Sequence, residues 1–289
     1  MASGRKTAST TSVSRDYPVV VAGRGNLGRS LVRAFNEAGE SARLVPSREP
    51  LPALQEGLVF IAVPDAAVGE VARRMSRSRA AGAVSFVHVS GALGLDVLAP
   101  LATRHAVGSF HPLQSFPAPR SPDAFQGITM AVDASTTALE RHLASLARGI
   151  GARPRHVGDA ERVPYHAAAV FASNYVITAV DEGVRVLMAT GWTREEAEQA
   201  LLPLAEGVVQ NMRRDGVRMA LTGPVRRGDA ETVERHLGDL GPEAADLYRM
   251  LGLVALEIAK AQGLDARAVG RTRRALTRNV AATRRRGRR

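Results

Sequence analysis

The sequence predicts an α/β chain in which a parallel, doubly wound sheet in the N-terminal half is followed by an all-α C-terminal domain. Three observations carry this. Short β-branched apolar runs alternate with stretches of helical periodicity up to about residue 160, the pattern of strands joined by crossover helices. A glycine turn joins the first apolar run to the first helix. Beyond 160 the strand signals stop, and apolar residues recur at helical spacing between Gly, Pro and Asn/Asp breaks.

The elements follow in order. Val19-Val20-Val21-Ala22 is apolar on both faces, as a strand buried inside a parallel sheet must be. Leu27, Leu31, Ala34, Phe35 and Ala38 then repeat at helical spacing, and Gly39 stands where a helix C-terminal glycine belongs. Ala42 to Val45 reads as the second strand. Leu58 to Val63 reads as the third, closed by Pro64, and Val84 to Val89 as the fourth, ended by Ser90-Gly91. Shorter strands are expected at Val107 to Phe110, Ile128 to Val132 and Arg155 to Val157, with a helix over about 136–148. Helices are expected over 162–189, 194–214, 230–240, 243–262 and 265–279. The first of these, rich in Ala and Val, reads as buried on most sides.

Composition narrows the function classes. The 289 residues suit two domains. There is no cysteine, so disulfides, Cys-ligated metal sites and a thiol nucleophile are excluded, which fits a reducing cytoplasm. No metal site is expected. No apolar run reaches the ~20 residues of a membrane span, so no membrane partner is expected. The formal charge of +11 suggests nucleic acid until it is located. Residues 271–289 hold nine arginines and no acid, and residues 1–15 hold Arg5, Lys6 and Arg15, which leaves 27 basic against 28 acidic residues between 16 and 270. The folded body is neutral, so specific nucleic-acid binding is not expected, although terminal arginines attract polyanions nonspecifically. The basic, Ser/Thr-rich start fits either an organelle transit segment or a flexible terminus. The reading adopted is a flexible terminus and a cytoplasmic location.

Gly23-Arg24-Gly25-Asn26-Leu27-Gly28 is a G-x-G-x-x-G between a strand and an amphipathic helix, the context that dinucleotide binding needs. Gly23 makes the tight turn, Gly25 lets backbone approach a pyrophosphate, and Gly28 lets helix and strand pack closely. The helix N-terminus offers free N–H groups and positive dipole to the phosphates. This identifies a Rossmann-type domain. Twenty residues beyond Gly28, where an NAD site carries Asp or Glu, stands Arg48, preceded by Ser47. Arginine pairs with a ribose 2′-phosphate and the serine hydroxyl can donate another bond, so the expected cofactor is NADP(H), with Arg24 in reach of the same phosphate.

Ile61-Ala62-Val63-Pro64-Asp65 resembles the corresponding segment of pyrroline-5-carboxylate reductases and deazaflavin-dependent NADP reductases, which adds Val63 and Pro64 to the expected cofactor contacts. Val87-His88-Val89-Ser90-Gly91-Ala92, Ser109-Phe110-His111-Pro112-Leu113, Tyr165-His166 through Asn174, and Thr222-Gly223-Pro224 with Arg227-Gly228-Asp229 complete the pattern. Together they resemble a bacterial family of predicted oxidoreductases that joins a Rossmann-like domain to a helical C-terminal domain of unassigned function. The resemblance covers about residues 18–270. It implies a helical domain that contributes to the active site and often to a dimer, and names no substrate. Some relatives are similar to proteins that reduce ketopantoate, which makes such a keto acid one substrate to consider.

Ligands of a doubly wound sheet bind beyond the carboxyl ends of its strands, where Ser90 and His111 are expected. Ser90 followed by a His–Pro pair also resembles prephenate dehydrogenases, whose serine and histidine work on the substrate hydroxyl. His111 is read either as the proton donor or as a structural histidine, and His88 as a satisfied core residue. Lysine is scarce, with only Lys6 and Lys260. Where hydroxyacid dehydrogenases and ketopantoate reductases place a lysine four residues before a helical asparagine, this chain has Val170 before Asn174. That leaves His111, His166, Tyr165 or Lys260 as proton donors. Asn174, Thr178, Asp181 and Arg185 share one helix face, which can border a cleft, face solvent or form a dimer network; Asn174 is the site candidate among them. Asp229 is placed to cap the next helix, and Arg227 is a candidate for binding an acidic substrate.

The sequence is thus read as a disordered tail over 1–16, a Rossmann NADP-binding domain over 17–160, a helical substrate and dimerisation domain over 161–279, and a basic tail over 280–289. The expected function is NADP(H)-dependent reduction of a small carbonyl or imine compound by a homodimer, with Ser90, His111, His166 and Asn174 as the catalytic candidates. The alternative is a non-catalytic NADP(H)-binding sensor or regulatory protein on the same fold.

Overall fold

The computed structural model describes residues 18–278 except 79 and 81. The tails expected at 1–16 and 280–289 lie outside the described residues. The backbone forms two compact units, one through Ser173 and one from Asn174 onward.

The first unit is built on seven strands: β1 (Val19–Ala22), β2 (Ala42–Val45), β3 (Glu56–Ile61), β4 (Ala83–His88), β5 (Val107–Pro112), β6 (Thr129–Ala134) and β7 (Arg153–His156). They lie in the order β2-β1-β3-β4-β5-β6-β7. The alternation of the pleat explains the uninterrupted apolar runs. Val19 and Val21 enter one core with Phe35, Phe60 and Phe110, while Val20 and Ala22 enter another with Val59, Ile61 and Phe86. A sheet buried on both faces has no solvent side for polar residues to occupy. Helices α1 (Asn26–Glu37) and α4 (Thr137–Gly149) contribute to the first core. Helix α2 (Asp65–Met75), the one-turn α3 (Ala99–Ala102) and the 3-10 turn before it contribute to the second.

The sheet departs from the wholly parallel expectation at one place. β5 and β6 pair antiparallel, His111 opposite Ala131 and Pro112 opposite Met130, while every other neighbouring pair is parallel. The cause is the connection. Residues 113–128 contain only a 3-10 turn at Pro122–Phe125, and without a crossover helix the chain returns along its neighbour instead of recrossing the sheet.

Two further expectations change. The helix read over 162–189 is two helices, α5 (Asp159–Ala172) and α6 (Asn174–Met188), because Ser173 leaves helical torsions at φ −125°, ψ −74°. Its hydroxyl bonds back to the Ala169 carbonyl at 2.7 Å, a local bond that bends helices. Helix α5 belongs to the first compact unit, which runs through Ser173. Nor are these helices buried on most sides. Val163, Phe171 and Ile177 are 73%, 68% and 70% exposed.

The second unit contains α6, α7 (Arg194–Asp215), α8 (Gly223–Arg227), α9 (Ala230–Asp239), α10 (Pro242–Ala261) and α11 (Ala266–Thr277). Its core is Val225, Val233, Leu237, Ala245, Leu256, Ala275 and Leu276, all from α8 to α11. Asp229 caps α9 by accepting from the Thr232 N–H at 3.0 Å, as its position suggested. Asp181 pairs with Arg185 one turn on along α6 (3.0 Å) and with Arg194 of α7 (2.9 Å). Of the polar stripe on α6, Asp181 thus joins that helix to α7, while Thr178 bonds back to the Asn174 carbonyl.

Candidate active site on the sheet edge

The glycine turn follows β1 as expected. Gly23 has φ +137°, and a Cβ there would stand 2.0 Å from the Ala62 carbonyl oxygen, so only glycine fits. A Cβ on Gly28 would meet the Gly23 carbonyl at 2.4 Å, which is the close helix–strand contact that the motif requires. Gly25 differs, because a Cβ there meets nothing within 4 Å. The space above Gly25 is open, and the N–H groups of Asn26, Leu27 and Gly28 in the first turn of α1 have no acceptor within the helix. These residues fit a pyrophosphate. Leu27 packs on the core beneath. The Asn26 side chain is committed elsewhere, donating to the Phe116 and Pro117 carbonyls at 3.1 and 2.9 Å. It ties the loop after β5 to the turn and leaves the backbone N–H as the residue's donor for a ligand. Arg24 is exposed in the turn, and its carbonyl accepts from Arg29.

Ser47 and Arg48 lie in the turn directly after β2, with Arg48 exposed. The Ser47 carbonyl accepts from Arg74 in the last turn of α2. Arg48, Arg74 and Arg77 line one pocket with Pro50 and Pro52, a basic corner of which the sequence reading had only the first member. Val63 and Pro64 connect β3 to α2, Val63 half-buried and Pro64 exposed as the residue that caps α2.

Ser90, His111 and His166 come together with Tyr165. β4 and β5 run parallel, so the ends of both reach the edge that carries the glycine turn. His111 Nδ1 lies 2.9 Å from Tyr165 Oη, and the rings meet edge to face at 5.6 Å between centroids. The His166 ring is 6.4 Å away. The imidazole also packs against Gly91, where a Cβ would stand 2.6 Å from the ring. Gly91 is therefore the seat of His111.

Electrostatics revises one expectation. His111 is not poised near neutrality: burial lowers its pKa to about 4, with smaller contributions from His166 and Arg162. Burial likewise raises Tyr165 to about 12. Both are neutral at pH 7. His88 is also lowered to about 4 by burial, and its Nδ1 accepts the Ser90 N–H at 3.2 Å; it is a core histidine, but not the satisfied one expected, because its buried Nε2 has no partner among the described residues.

Ser90 is more constrained than expected. Its hydroxyl donates to Asp65 Oδ2 at 2.8 Å and accepts from the Ala92 and Leu93 N–H groups at 3.1 Å each. A hydroxyl has one donor and two lone pairs, so all its capacity is used in tying the β4 exit to the start of α2. In this geometry it holds the loop that contains Gly91 and has no bond left for a substrate. Asn174 opens α6 in the second unit and is exposed.

Arg162 was missed. It is 1% exposed, donates to Ser109 Oγ on β5, and pairs with Asp133 of β6 at 3.3 Å and Asp159 at 3.4 Å. Arg162, Tyr165 and His166 stand at i, i+3 and i+4, a shared helix face that was available as a signal. Among the described residues no cluster of His, Asp and Glu can hold a metal.

Residues 7–112 match a family of Rossmann-like domains, and residues 128–255 match a family described as a domain of unknown function, DUF2520. The chain joins a Rossmann-like domain to a DUF2520 domain. The DUF2520 match begins at β6, so it takes in α4, β7 and α5 of the first unit as well as helices of the second. Among solved structures, a candidate NADP oxidoreductase of Bacteroides fragilis is 22% identical with a TM-score of 0.71, the alignment covering 84% of this chain and 99% of that one. A protein of Thermotoga maritima is 23% identical with a TM-score of 0.67, over 84% and 99%. The Plasmodium falciparum pyrroline carboxylate reductase, solved with NADP bound, is 12% identical with a TM-score of 0.54, over 91% and 100%. These likenesses establish the fold. No curated protein matches the chain by sequence.

Proposed function

We propose that this chain is an NADP(H)-dependent oxidoreductase that reduces a small carbonyl or imine compound, with Tyr165 and His111 supplying the proton. The observation that carries the reading is the Tyr165–His111 pair, held on the same sheet edge as an open glycine turn. From β1 to β5 is three strand spacings, roughly 14 Å, so the phosphate cradle and the pair lie on one crevice, the position where such sheets bind dinucleotides. The backbone of Gly23, Gly25 and Gly28 and the first turn of α1 would hold the pyrophosphate. Ser47 and Arg48, with Arg24, would take the 2′-phosphate, and Val63 and Pro64 would border the nicotinamide half. Bound there, the reduced nicotinamide supplies a hydride.

The residues then handle the proton. A carbonyl oxygen becomes an alkoxide as its carbon takes hydride, and it needs a donor within hydrogen-bond reach. When Tyr165 donates to His111 Nδ1, the ring carries its own proton on Nε2. That proton passes to the alkoxide, Nδ1 takes the tyrosyl proton, and the tyrosinate is reprotonated from solvent. Neutral His111 is thus a relay for a neutral tyrosine, and no imidazolium is required.

The names of the neighbours support the class, since one is a candidate NADP oxidoreductase and another reduces a pyrroline carboxylate. A homodimer accounts for the apolar faces of the helices. Phe171, Ile177, Leu204 and Val208 are exposed in the single chain, and contiguous exposed apolar surface marks interaction sites. Among the described residues, no helix is long and apolar enough to cross a membrane and so cover them with lipid.

The test is NADPH oxidation with a panel of keto acids, ketopantoate included, and cyclic imines. Turnover by the wild type and its loss in Tyr165→Phe are expected. Tight NADPH binding with no substrate consumed would favour the sensor.

A further inference from the structure

We propose that Arg162 is a positioning residue of this site: it pins α5 to β5 and β6 so that Tyr165 meets His111, and it places a fixed positive charge beside the tyrosinate that forms. The inference rests on the relay described above and extends it to a residue with no place in that relay.

The geometry is a three-point tether. Arg162 reaches Ser109 of β5 and Asp133 of β6 through one nitrogen, and Asp159, one turn back on α5, through another. Ser109 and His111 are two residues apart on β5, so they project to the same face of the sheet. On the helix side, Tyr165 lies three residues after Arg162. The tether and the Tyr165–His111 contact are therefore parallel rungs between the same strand and the same helix, one turn apart. Fixing the first rung sets the height and rotation of the second.

Stability alone does not explain this arginine. It sits in the first turn of α5, where the helix dipole disfavours a cation. A buried ion pair generally adds little to stability over a well-packed apolar replacement. One guanidinium nitrogen, Nη1, is buried without a partner, which adds a further desolvation cost. A buried cation in this position returns something only through what it faces. Facing His111 are Arg162, Tyr165 and His166 from α5 and His88 from β4. Arg162 is the fixed charge among them, and it disfavours a proton on His111 while favouring the tyrosinate.

The experiment pairs Arg162→Met with Asp133→Asn, so that no buried charge is stranded, and follows two readouts in the full chain. The first is the titration of His111 by NMR of histidine-labelled protein. The wild-type ring should stay neutral to about pH 4, and the variant should titrate at higher pH with the Tyr165 bond loosened. The second is turnover of whichever carbonyl or imine the wild type reduces. Here kcat should fall about 10²-fold, the effect of a displacement near 1 Å, with KM and NADPH affinity nearly unchanged. If the double variant does not fold, Ser109→Ala removes one point of the tether at small cost in volume and should move both readouts the same way, less far. A folded variant with unchanged His111 titration and unchanged kcat would overturn the proposal. If the wild type reduces nothing, the relay fails as a reading of function, and the titration still decides whether Arg162 governs the pair.

Discussion

His111 has a pKa near 4 in a folded protein and about 6.5 in an unfolded one, and two consequences follow. Between those values the unfolded chain binds more protons, so stability is complete above pH 6.5 and falls as the pH drops through that window towards 4. His88 acts in the same direction. Denaturant midpoints measured from pH 7.5 to 4.5 should fall, and His111→Asn should flatten part of the slope. The acid limb of kcat should also lie near pH 4 and not near 6.5. His111→Ala should lower turnover by about 10²–10⁴-fold, the usual loss when a proton donor is removed, with NADPH affinity preserved. At the other end of the crevice, Arg48 should favour NADPH over NADH by on the order of 1.5–3 kcal/mol, the range for a charge-assisted bond. Titration of Arg48→Glu with both nucleotides should reverse the preference.

At the scale of the element, the glycine turn offers a contrast within three residues. Gly23→Ala places a Cβ on the Ala62 carbonyl in a left-handed conformation, so it should lower the melting temperature markedly. Gly25→Val points into open space, so it should melt like the wild type and lose most NADPH affinity. Equal stability losses would show that the space above Gly25 is structural. This turn was legible in the sequence because its residue types are dictated locally by φ and by backbone approach. The strands were legible for a similar reason, since burial on both faces leaves long apolar runs. What could not be read was non-local. The antiparallel β5–β6 pairing depends on a connection lacking a helix. The loss of Ser90's free hydroxyl depends on Asp65, 25 residues away. Arg162 shares a helix face with Tyr165 and His166 in the sequence, but its burial is legible only once Ser109 and Asp133 are placed beside it. The apolar composition of α5 and α6 reads as burial on most sides, but the chain leaves Val163, Phe171 and Ile177 exposed.

For the whole molecule, the exposed faces of α5, α6 and α7 predict a homodimer in solution. Sedimentation equilibrium should give twice the chain mass, and Ile177→Asp with Leu204→Glu should give one. Removing 280–289 should leave folding and NADPH binding intact, because no apolar pattern ties that basic segment to a core. The proposed function needs one arrangement: a nucleotide on the glycine turn, a proton pair at β5, and a substrate between them. Transfer of deuterium from C4-labelled NADPH to a keto acid or cyclic imine, followed by mass spectrometry of the product, tests it most directly. One deuterium is expected in the product with the wild type and almost none with His111→Ala, at matched nucleotide saturation. Saturable NADPH binding with no label transferred to any carbonyl or imine would contradict it.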